Sequence, residues 1–299
     1  MIVAFRGTYS IANTIADLST NPAEYAPFPS ERDNDSVCAT ATTRSNEKQA
    51  QLPPLLQQPG KRYENRPECT NCTVHTGFMT SWRNTRCIIV PHVEQALNQY
   101  HDYELTLVGH SLGGAVAALA ALEFQARGWT PRVTTFGEPR IGNRALSEFI
   151  DRRFQLNTIA DPDQILYRRV THVDDPVPLL PLEEWGYRMH AGEIYISKLS
   201  LPPSRHDVQH CTGDEDPSCI AGGVSADISD VAPLTESQEE VNGQSRLRLR
   251  WGIGRRYRLW ELFFAHRDYF WRLGLCVPGG DPWDWHRETY RSANMSDEV

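Results

Sequence analysis

The chain has 299 residues, 23% of them charged and 40% hydrophobic, an ordinary composition for a globular protein long enough to bury a sizeable core. Its formal net charge of −8 argues against nucleic acid or an anionic membrane as the main partner, but not against a neutral lipid surface or a neutral ester. No run of about 18 apolar residues occurs, so the sequence predicts no transmembrane segment.

The N-terminal part of the chain predicts a buried strand over residues 2–5 and a turn over residues 6–8. Residues 10–18 predict a short amphipathic helix, whose apolar face consists of Ile11, Ile15 and Leu18. Residues 19–68 are rich in Pro, Gln, Asn, Ser and Thr, a composition that predicts an irregular insertion.

The middle of the chain alternates predicted helices and strands. A helix is expected over residues 80–99, with Pro91 kinking it or marking a restart. Its expected inward positions are Trp82, Ile89, Val93, Ala96 and Leu97. Strands are predicted over residues 105–108, 133–137, 166–171 and 193–197, the last near a sheet edge, and helices over residues 115–122 and 144–154. This alternation predicts one α/β domain with a mostly parallel sheet.

The C-terminal part is less regular. Residues 222–243 are polar and predict a loop, whereas residues 246–251 alternate basic and apolar side chains and predict a half-exposed strand. Residues 259–275 are strongly aromatic, and we expect residues 277–299 to form a loosely held tail. The predicted organisation is therefore a single domain over residues 1–276, interrupted by the insertion and followed by the tail.

The sequence Gly109-His110-Ser111-Leu112-Gly113-Gly114 lies between an apolar strand and an alanine-rich helix. This is the context of a nucleophile elbow, a strained turn that presents a serine hydroxyl above a parallel sheet. Glycines on both sides of Ser111 allow the backbone and the helix to crowd the turn without Cβ clashes. The backbone N–H of Leu112 can donate to a developing oxyanion, and Thr8, in the turn after the first strand, is the candidate for the second donor.

A serine nucleophile needs an imidazole base and a carboxylate that orients the imidazole, in the chain order Ser, Asp or Glu, His. The acid candidates are Asp174 and Asp175, which follow an apolar strand, and the local pattern alone does not choose between them. The base candidates are His190, His206, His210, His266 and His286. His266 follows an apolar segment that can fix its position, so it is preferred, whereas His110 is expected to pack beneath the elbow.

Seven cysteines occur, and because this number is odd, at least one thiol is free or lacks its partner in this chain. Cys69 and Cys72 could form a redox site, a zinc site or a disulfide, but no second C-x-x-C and no flanking βαβ pattern supports the first two. Cys211 and Cys219 bracket a short acidic loop, which suits a local disulfide. No His, Asp and Glu cluster has the spacing of metal ligands, so neither a metal nor a cofactor is expected.

Several sequence blocks together resemble the fungal class 3 lipase family, which comprises filamentous-fungal triacylglycerol lipases and related feruloyl esterases. The matching stretches are residues 3–11 (VAFRGTYSI), 75–78 (HTGF) with Ser81-Trp82, 109–114 (GHSLGG), 135–143 (TFGEPRIGN), 169–178 (RVTHVDDPVP) and Ala265-His266. Their order and spacing match the family over most of residues 1–200 and again near residues 260–276, and jointly they are highly specific.

The resemblance implies an α/β-hydrolase fold with Ser111 as nucleophile, Asp175 rather than Asp174 as the acid, His266 as the base, and Thr8 and Leu112 as oxyanion donors. It also implies that the helix starting at Ser10 is a lid that covers the site and opens at a lipid–water interface. It further implies a disulfide between Cys69 and Cys72. Family members have further elements before the first strand, including a signal peptide, so we expect this chain to lack N-terminal elements of its fold.

The function expected from these residues is hydrolysis of acylglycerols by a secreted, monomeric serine hydrolase whose partner is a lipid or another ester substrate. An aryl esterase of the feruloyl esterase type is the nearest alternative, because it would share the triad and differ in its lid and acyl pocket. A third possibility is an inactive truncated fragment or a non-catalytic lipid-binding protein. The basic residues between 246 and 258 are expected to form a solvated face.

Overall fold

The computed structural model describes residues 1–7, 22–28, 68–159, 161–221, 238–241, 244–247 and 265–273. The helices of these residues are α1 (Thr76–Gln99), α2 (Leu112–Ala126) and α3 (Arg144–Phe154). The strands are β1 (Ile2–Phe5), β2 (Pro22–Glu24), β3 (Thr73–His75), β4 (Thr106–His110), β5 (Arg132–Phe136), β6 (Gly142–Asn143), β7 (Tyr167–His172), β8 (Tyr187–Arg188), β9 (Glu193–Ile196), β10 (Val208–His210), β11 (Gln238–Val241) and β12 (Gln244–Leu247).

The central sheet has six strands in the order β1-β4-β5-β7-β9-β10. All neighbouring pairs are parallel except β9 and β10, which are antiparallel. The expected α/β class with a mostly parallel sheet is confirmed, and β9 lies next to the edge strand, as predicted. Because β4, β5 and β7 are parallel, the residues that follow them all emerge at the same edge of the sheet, where open α/β sheets hold their sites.

A second sheet lies outside the predicted pattern. It has four antiparallel strands in the order β2-β3-β6-β8. The expectation of an irregular insertion over residues 19–68 is wrong for residues 22–24, which form β2. The composition of the surrounding segment gave no sign of this strand. It is stabilised by pairing with β3 and by the buried ring of Tyr25. The backbone N–H of Tyr25 donates to the carbonyl of Cys72 (2.9 Å).

Helix α1 begins four residues earlier than predicted and does not restart at Pro91. It begins earlier because the Nδ1 of His75 accepts a hydrogen bond from the N–H of Gly77 (3.2 Å) and caps the first turn. Of the expected inward residues, Trp82 and Val93 are buried, whereas Ile89, Ala96 and Leu97 are half-buried. Four further residues of this helix that were not predicted are also buried: Phe78, Met79, Arg86 and Val90.

A buried ion pair joins α1 to α2 and supports α1 near Pro91. The carboxylate of Glu123 accepts bonds from the Nε1 of Trp82 (2.9 Å) and from the Nε (2.9 Å) and Nη2 (2.7 Å) of Arg86. Arg127 binds the same carboxylate at 2.7 Å. A proline inside a helix removes one intrahelical hydrogen bond. The contacts between the two helices offset that loss, so α1 continues through Pro91.

The C-terminal expectations are partly wrong. Residues 238–241, expected in a loop, form β11, which pairs with β12. The strand expected over residues 246–251 overlaps β12 only at residues 246–247, and the rest of it lies outside the described residues. The predicted tail over residues 277–299 also lies outside them.

Both expected disulfides are present, joining Cys69 to Cys72 and Cys211 to Cys219. Cys87 is disulfide-bonded as well. Among the described residues, no helix combines the length and the apolar content needed to cross a bilayer.

Candidate active site

Ser111 lies in the turn between β4 and α2, in a backbone conformation that L-residues rarely adopt (φ 58°, ψ −130°). Glycines make this turn possible. A Cβ on Gly109 would overlap the carbonyl of Gly113, and a Cβ on Gly113 would overlap the carbonyl of Phe5. The sequence therefore builds the strained elbow by leaving out the side chains that would open it.

The elbow is fixed to the neighbouring strands. The N–H of Ser111 donates to the carbonyl of Phe136, the last residue of β5, at 2.9 Å. Ser111 is 3% exposed and directly precedes Leu112, the first residue of α2. The N–H groups at the start of this helix and the helix dipole favour negative charge beside the serine.

Gly7, the last described residue after β1, packs against the elbow. A Cβ on Gly7 would lie 2.8 Å from the carbonyl oxygen of His110 and 3.1 Å from the Cβ of Ser111. The turn after β1 therefore approaches Ser111 closely. Thr8, the expected oxyanion donor that follows it, lies outside the described residues, as do the expected lid residues Ser10, Ile11, Ile15 and Leu18.

Asp175 follows β7 through a tight turn in which Asp174 has a positive φ of 64°. The turn exposes Asp174 and buries Asp175. One oxygen of the Asp175 carboxylate accepts the N–H of Val177 at 2.9 Å. The other accepts the hydroxyl of Tyr269. The structure thus separates two neighbouring aspartates that the local pattern left equivalent.

The imidazole of His266 is fully buried against Asp175. Its Nδ1 lies 2.9 Å from Oδ2 and 3.0 Å from Oδ1 of that carboxylate. The Nε2 is also buried, and it has no hydrogen-bond partner in the part of the chain that the structure describes. A carboxylate at Nδ1 fixes the tautomer and leaves the lone pair on Nε2, which is the arrangement of a general base.

The electrostatics of the pair favour an ionised acid. Burial alone would raise the pKa of Asp175, but the charge of His266 and the hydrogen bonds from His266, Tyr269 and the Val177 N–H outweigh burial and lower the pKa below its ordinary value. The carboxylate is therefore charged over the whole range in which imidazole titrates. It can stabilise an imidazolium at His266.

The structure separates His266 from the other candidate bases. His190 is buried on Glu138, with its Nε2 2.9 Å from a carboxylate oxygen. His206 and His210 are exposed. His286 lies outside the described residues.

His110 packs directly against His266. Its Nε2 lies 2.7 Å from the carbonyl oxygen of His266, and the two ring centroids are 4.5 Å apart. Burial, followed by the charge of His266, lowers the pKa of His110 to about 4. His110 is therefore neutral at ordinary pH, with the proton on Nε2, and it holds the backbone of His266.

Two residues of this site were not predicted from the sequence. Tyr269, whose hydroxyl binds Asp175, comes three residues after His266 in an aromatic segment that had no individual assignments. Gly137 follows β5 with φ 57°, and a Cβ there would lie 2.7 Å from the Cε1 of His266. The sequence signal that could have identified Gly137 is a glycine directly after a strand whose end lies at the site.

The described residues contain one group with metal-binding residue types, Glu193, Cys211 and Cys219. Both cysteines are joined in a disulfide, so their sulfur atoms are not thiolate ligands.

Comparison with known proteins identifies the family of the chain. The class 3 lipase family matches residues 2–185. The chain is 50% identical to secreted mono- and diacylglycerol lipase 2 of Gibberella zeae over 302 residues, covering all of this chain and 68% of that protein. It is 51% identical to lipase A of Sodiomyces alcalophilus over 296 residues, covering 96% of this chain and 65% of that protein. The chain therefore spans about two thirds of the length of these relatives.

Solved structures give the same result for the fold. The Lip2 lipase of Yarrowia lipolytica superposes with a TM-score of 0.56 at 26% identity, covering 73% of this chain and 65% of that one. The mono- and diacylglycerol lipase of Aspergillus oryzae gives a TM-score of 0.51 at 26% identity, with 74% and 65% covered. On the family match and the two relatives of about 50% identity, the chain belongs to the class 3 lipase family, whose members have the α/β-hydrolase fold and hydrolyse carboxylic esters.

Proposed function

We propose that this chain hydrolyses acylglycerols as a serine hydrolase with Ser111, His266 and Asp175 as its catalytic triad. The observation that supports this most is the buried His266, whose Nδ1 is bound by Asp175 while its Nε2 remains without a partner among the described residues. That nitrogen can take the proton of a nucleophile. The strained elbow supplies a serine nucleophile at the edge of the sheet where β4, β5 and β7 end.

In the proposed reaction, the Oγ of Ser111 attacks the ester carbonyl while its proton moves to the Nε2 of His266. The carbonyl oxygen becomes an oxyanion, which the N–H of Leu112 at the start of α2 and the N–H of Thr8 stabilise. His266 then gives the proton to the leaving alcohol, and the C–O bond breaks to leave an acyl-enzyme. Water attacks this ester with His266 again as base, which releases the fatty acid and restores Ser111.

Asp175 holds the imidazolium that forms in both steps. Its lowered pKa keeps it charged when His266 is charged. Tyr269 and the N–H of Val177 hold the carboxylate itself, so the acid is oriented by its own hydrogen bonds. The backbone carbonyl of His266 is held by His110. The base therefore keeps its orientation through contacts on both its ring and its main chain.

Acylglycerols are the proposed substrates because a relative of 50% identity carries the name of a secreted mono- and diacylglycerol lipase. The disulfides Cys69–Cys72 and Cys211–Cys219 suit an oxidising, extracellular location, which we propose for this chain too. We further propose that it acts as a monomer at a lipid–water interface and that the segment containing Ser10, Ile11, Ile15 and Leu18 is its lid. No metal or cofactor takes part in the proposed reaction.

The test is fatty-acid release from emulsified diacylglycerol, compared between the chain and its Ser111→Ala variant. The proposal expects release by the parent and none above background by the variant, with both proteins unfolding at similar temperatures. Release by Ser111→Ala at the parent's rate would overturn the nucleophile assignment. Hydrolysis of soluble feruloyl esters alone, with no release from the emulsion, would overturn the acylglycerol assignment in favour of an aryl esterase.

A further inference from the structure

The segment that follows His266 carries aromatic side chains on two opposite sides. We call residues 267–273 the aromatic loop. Tyr269 points inward and is buried on Asp175. The next two residues point outward, with Phe270 39% and Trp271 65% exposed, and Leu273 is also exposed. Large aromatic side chains are costly to leave in water, and a contiguous group of them marks an interaction surface.

The loop is closed at its base by bonds between its own ends. The N–H of Leu273 donates to the carbonyl of Arg267 at 2.8 Å, and the Nε of Arg267 donates to the carbonyl of Leu273 at 2.6 Å. Inside these bonds, the guanidinium of Arg272 binds the carboxylate of Asp268 through both Nε and Nη2. The exposed rings are therefore held on a rigid support, which lowers the entropy lost when they bind a partner.

The loop lies beside the nucleophile elbow. The ring of Phe270 is edge-on to the ring of Phe136, with centroids 6.5 Å apart. The carbonyl of Phe136 accepts the N–H of Ser111. The exposed aromatic group is thus attached to the catalytic edge of the sheet, next to the site at which the ester must arrive.

The charges of the loop indicate what it binds. Asp268 and Arg272 neutralise each other, and Arg267, the other charged residue of the loop, is buried at its base. The tip at residues 269–271 has no charged side chain. The whole chain has a formal net charge of −8, which disfavours anionic surfaces. Trp, with an apolar body and one N–H donor, is suited to the boundary between apolar and aqueous phases. These features fit the surface of uncharged lipid.

We propose that Phe270, Trp271 and Leu273 insert into a neutral lipid surface and hold the active-site edge of the protein against it. This inference rests on the proposed function, because the lipid surface is the source of the acylglycerol. Insertion places the lipid next to the loop that bears Tyr269 and directly follows His266. The rigid base of the loop keeps the triad aligned while the tip is in lipid.

Binding is measured with the Ser111→Ala chain, so that no lipid is consumed, by co-flotation with phosphatidylcholine vesicles that contain some diacylglycerol. We expect Trp271→Ser and Phe270→Ser each to lower the vesicle partition coefficient by roughly tenfold or more, because binding scales with the apolar area inserted. Trp271→Phe keeps an aromatic side chain and is expected to retain most of the binding.

The matched control is Tyr103→Ser. Tyr103 is 60% exposed, close to the value for Trp271, but it precedes β4 and lies at the opposite edge of the sheet from Ser111. This variant is expected to bind vesicles like its parent. Thermal unfolding of each variant shows whether a loss of binding reflects a loss of folding.

Equal vesicle binding by Trp271→Ser and Tyr103→Ser would overturn the inference, as would binding that requires phosphatidylglycerol and disappears in salt. The binding test can fail or succeed independently of the proposed function, because binding is measured with a variant that lacks the Ser111 hydroxyl. A chain that binds these vesicles through Trp271 but releases no fatty acid when Ser111 is present overturns acylglycerol hydrolysis and supports the lipid contact.

Discussion

The carboxylate, imidazole and phenol of Asp175, His266 and Tyr269 have a counterpart elsewhere in the molecule. Glu138, His190 and Tyr167 form a second buried group, in which the hydroxyl of Tyr167 donates to the Glu138 carboxylate at 2.7 Å. In both groups a tyrosine and a histidine share one carboxylate. Both groups therefore combine the same three functional groups, a carboxylate, an imidazole and a phenol, and all of them are buried.

The two groups differ at the second nitrogen of the imidazole. Both ring nitrogens of His190 face oxygen acceptors, the Glu138 carboxylate at 2.9 Å and the carbonyl of Ala191 at 2.8 Å. His266 uses only Nδ1, and its Nε2 has no partner among the described residues. A histidine with both nitrogens engaged holds structure together, whereas one with a free, buried nitrogen can accept a proton. The comparison predicts that the two groups respond oppositely to substitution.

The largest expected effect is on turnover. His266→Gln removes the proposed base, and we expect ester hydrolysis to fall by roughly a millionfold, the loss typical of a triad histidine. His190→Gln, which retains a donor for Glu138, serves as the matched variant and is expected to keep the parent's turnover. The measurement is the rate of fatty-acid release from emulsified diacylglycerol. A comparable loss in both variants would remove the functional distinction between the two groups.

The next effect is on stability. His190→Phe leaves the buried carboxylate of Glu138 without its histidine partner, and we expect the free energy of unfolding to fall by about 3 kcal/mol. Urea unfolding followed by circular dichroism measures this change. His190→Gln should lose less, because its amide can still donate to Glu138. A larger loss of stability in His266→Gln than in His190→Phe would contradict the assignment of the stabilising role to the group around Glu138.

His110, which packs against His266, makes the stability of the folded chain depend on pH. The unfolded chain protonates His110 near pH 6.5, whereas the folded chain protonates it only near pH 4. Between these values the unfolded state binds the extra proton, so stability falls as the pH is lowered from 6.5 to 4. This shift is worth up to about 3 kcal/mol at the acid end.

The corresponding measurement is urea unfolding at several pH values for the chain and its His110→Gln variant. The variant cannot titrate in this range but can donate to the carbonyl of His266, so its stability should fall less steeply between pH 6.5 and pH 4. Identical slopes for the two proteins would show that burial does not suppress the protonation of His110.

The smallest expected effects come from the two tyrosines. Tyr269→Phe removes one donor from Asp175, and we expect turnover to fall about tenfold, equivalent to about 1.4 kcal/mol of barrier. Tyr167→Phe removes one donor from Glu138 and should instead lower the free energy of unfolding by about 1–2 kcal/mol. Steady-state rates and urea unfolding are measured for both variants. A loss of turnover in both, or a loss of stability alone in both, would contradict the expected difference between the two tyrosines.

Local sequence predicted the elements around the site well, because periodicity, glycines and chain order act over short distances. The range of α3 and the limits of β1 and β7 agree with prediction to within a residue. The contrast between Asp174 and Asp175 depended on the turn after β7, which buries one carboxylate and exposes the other. From the residues alone the two remained equivalent, and only the family resemblance distinguished them.

What the sequence did not reveal depends on contacts between distant segments. β2 lies in a segment of loop-like composition and exists through its pairing with β3. α1 continues through Pro91 because α2 holds it through Glu123. Tyr269 acquires its role from a carboxylate 94 positions earlier in the chain. None of these contacts has a local sequence signature that distinguishes it from its alternatives.

The most direct test of the central claim is labelling by a fluorophosphonate, followed by peptide mass spectrometry, of the chain and its His266→Gln and His190→Gln variants. We predict covalent labelling of Ser111 in the parent and in His190→Gln, and none in His266→Gln. Labelling of Ser111 that persists in His266→Gln but is lost in His190→Gln would contradict the assignment of the His266 Nε2 as the catalytic base.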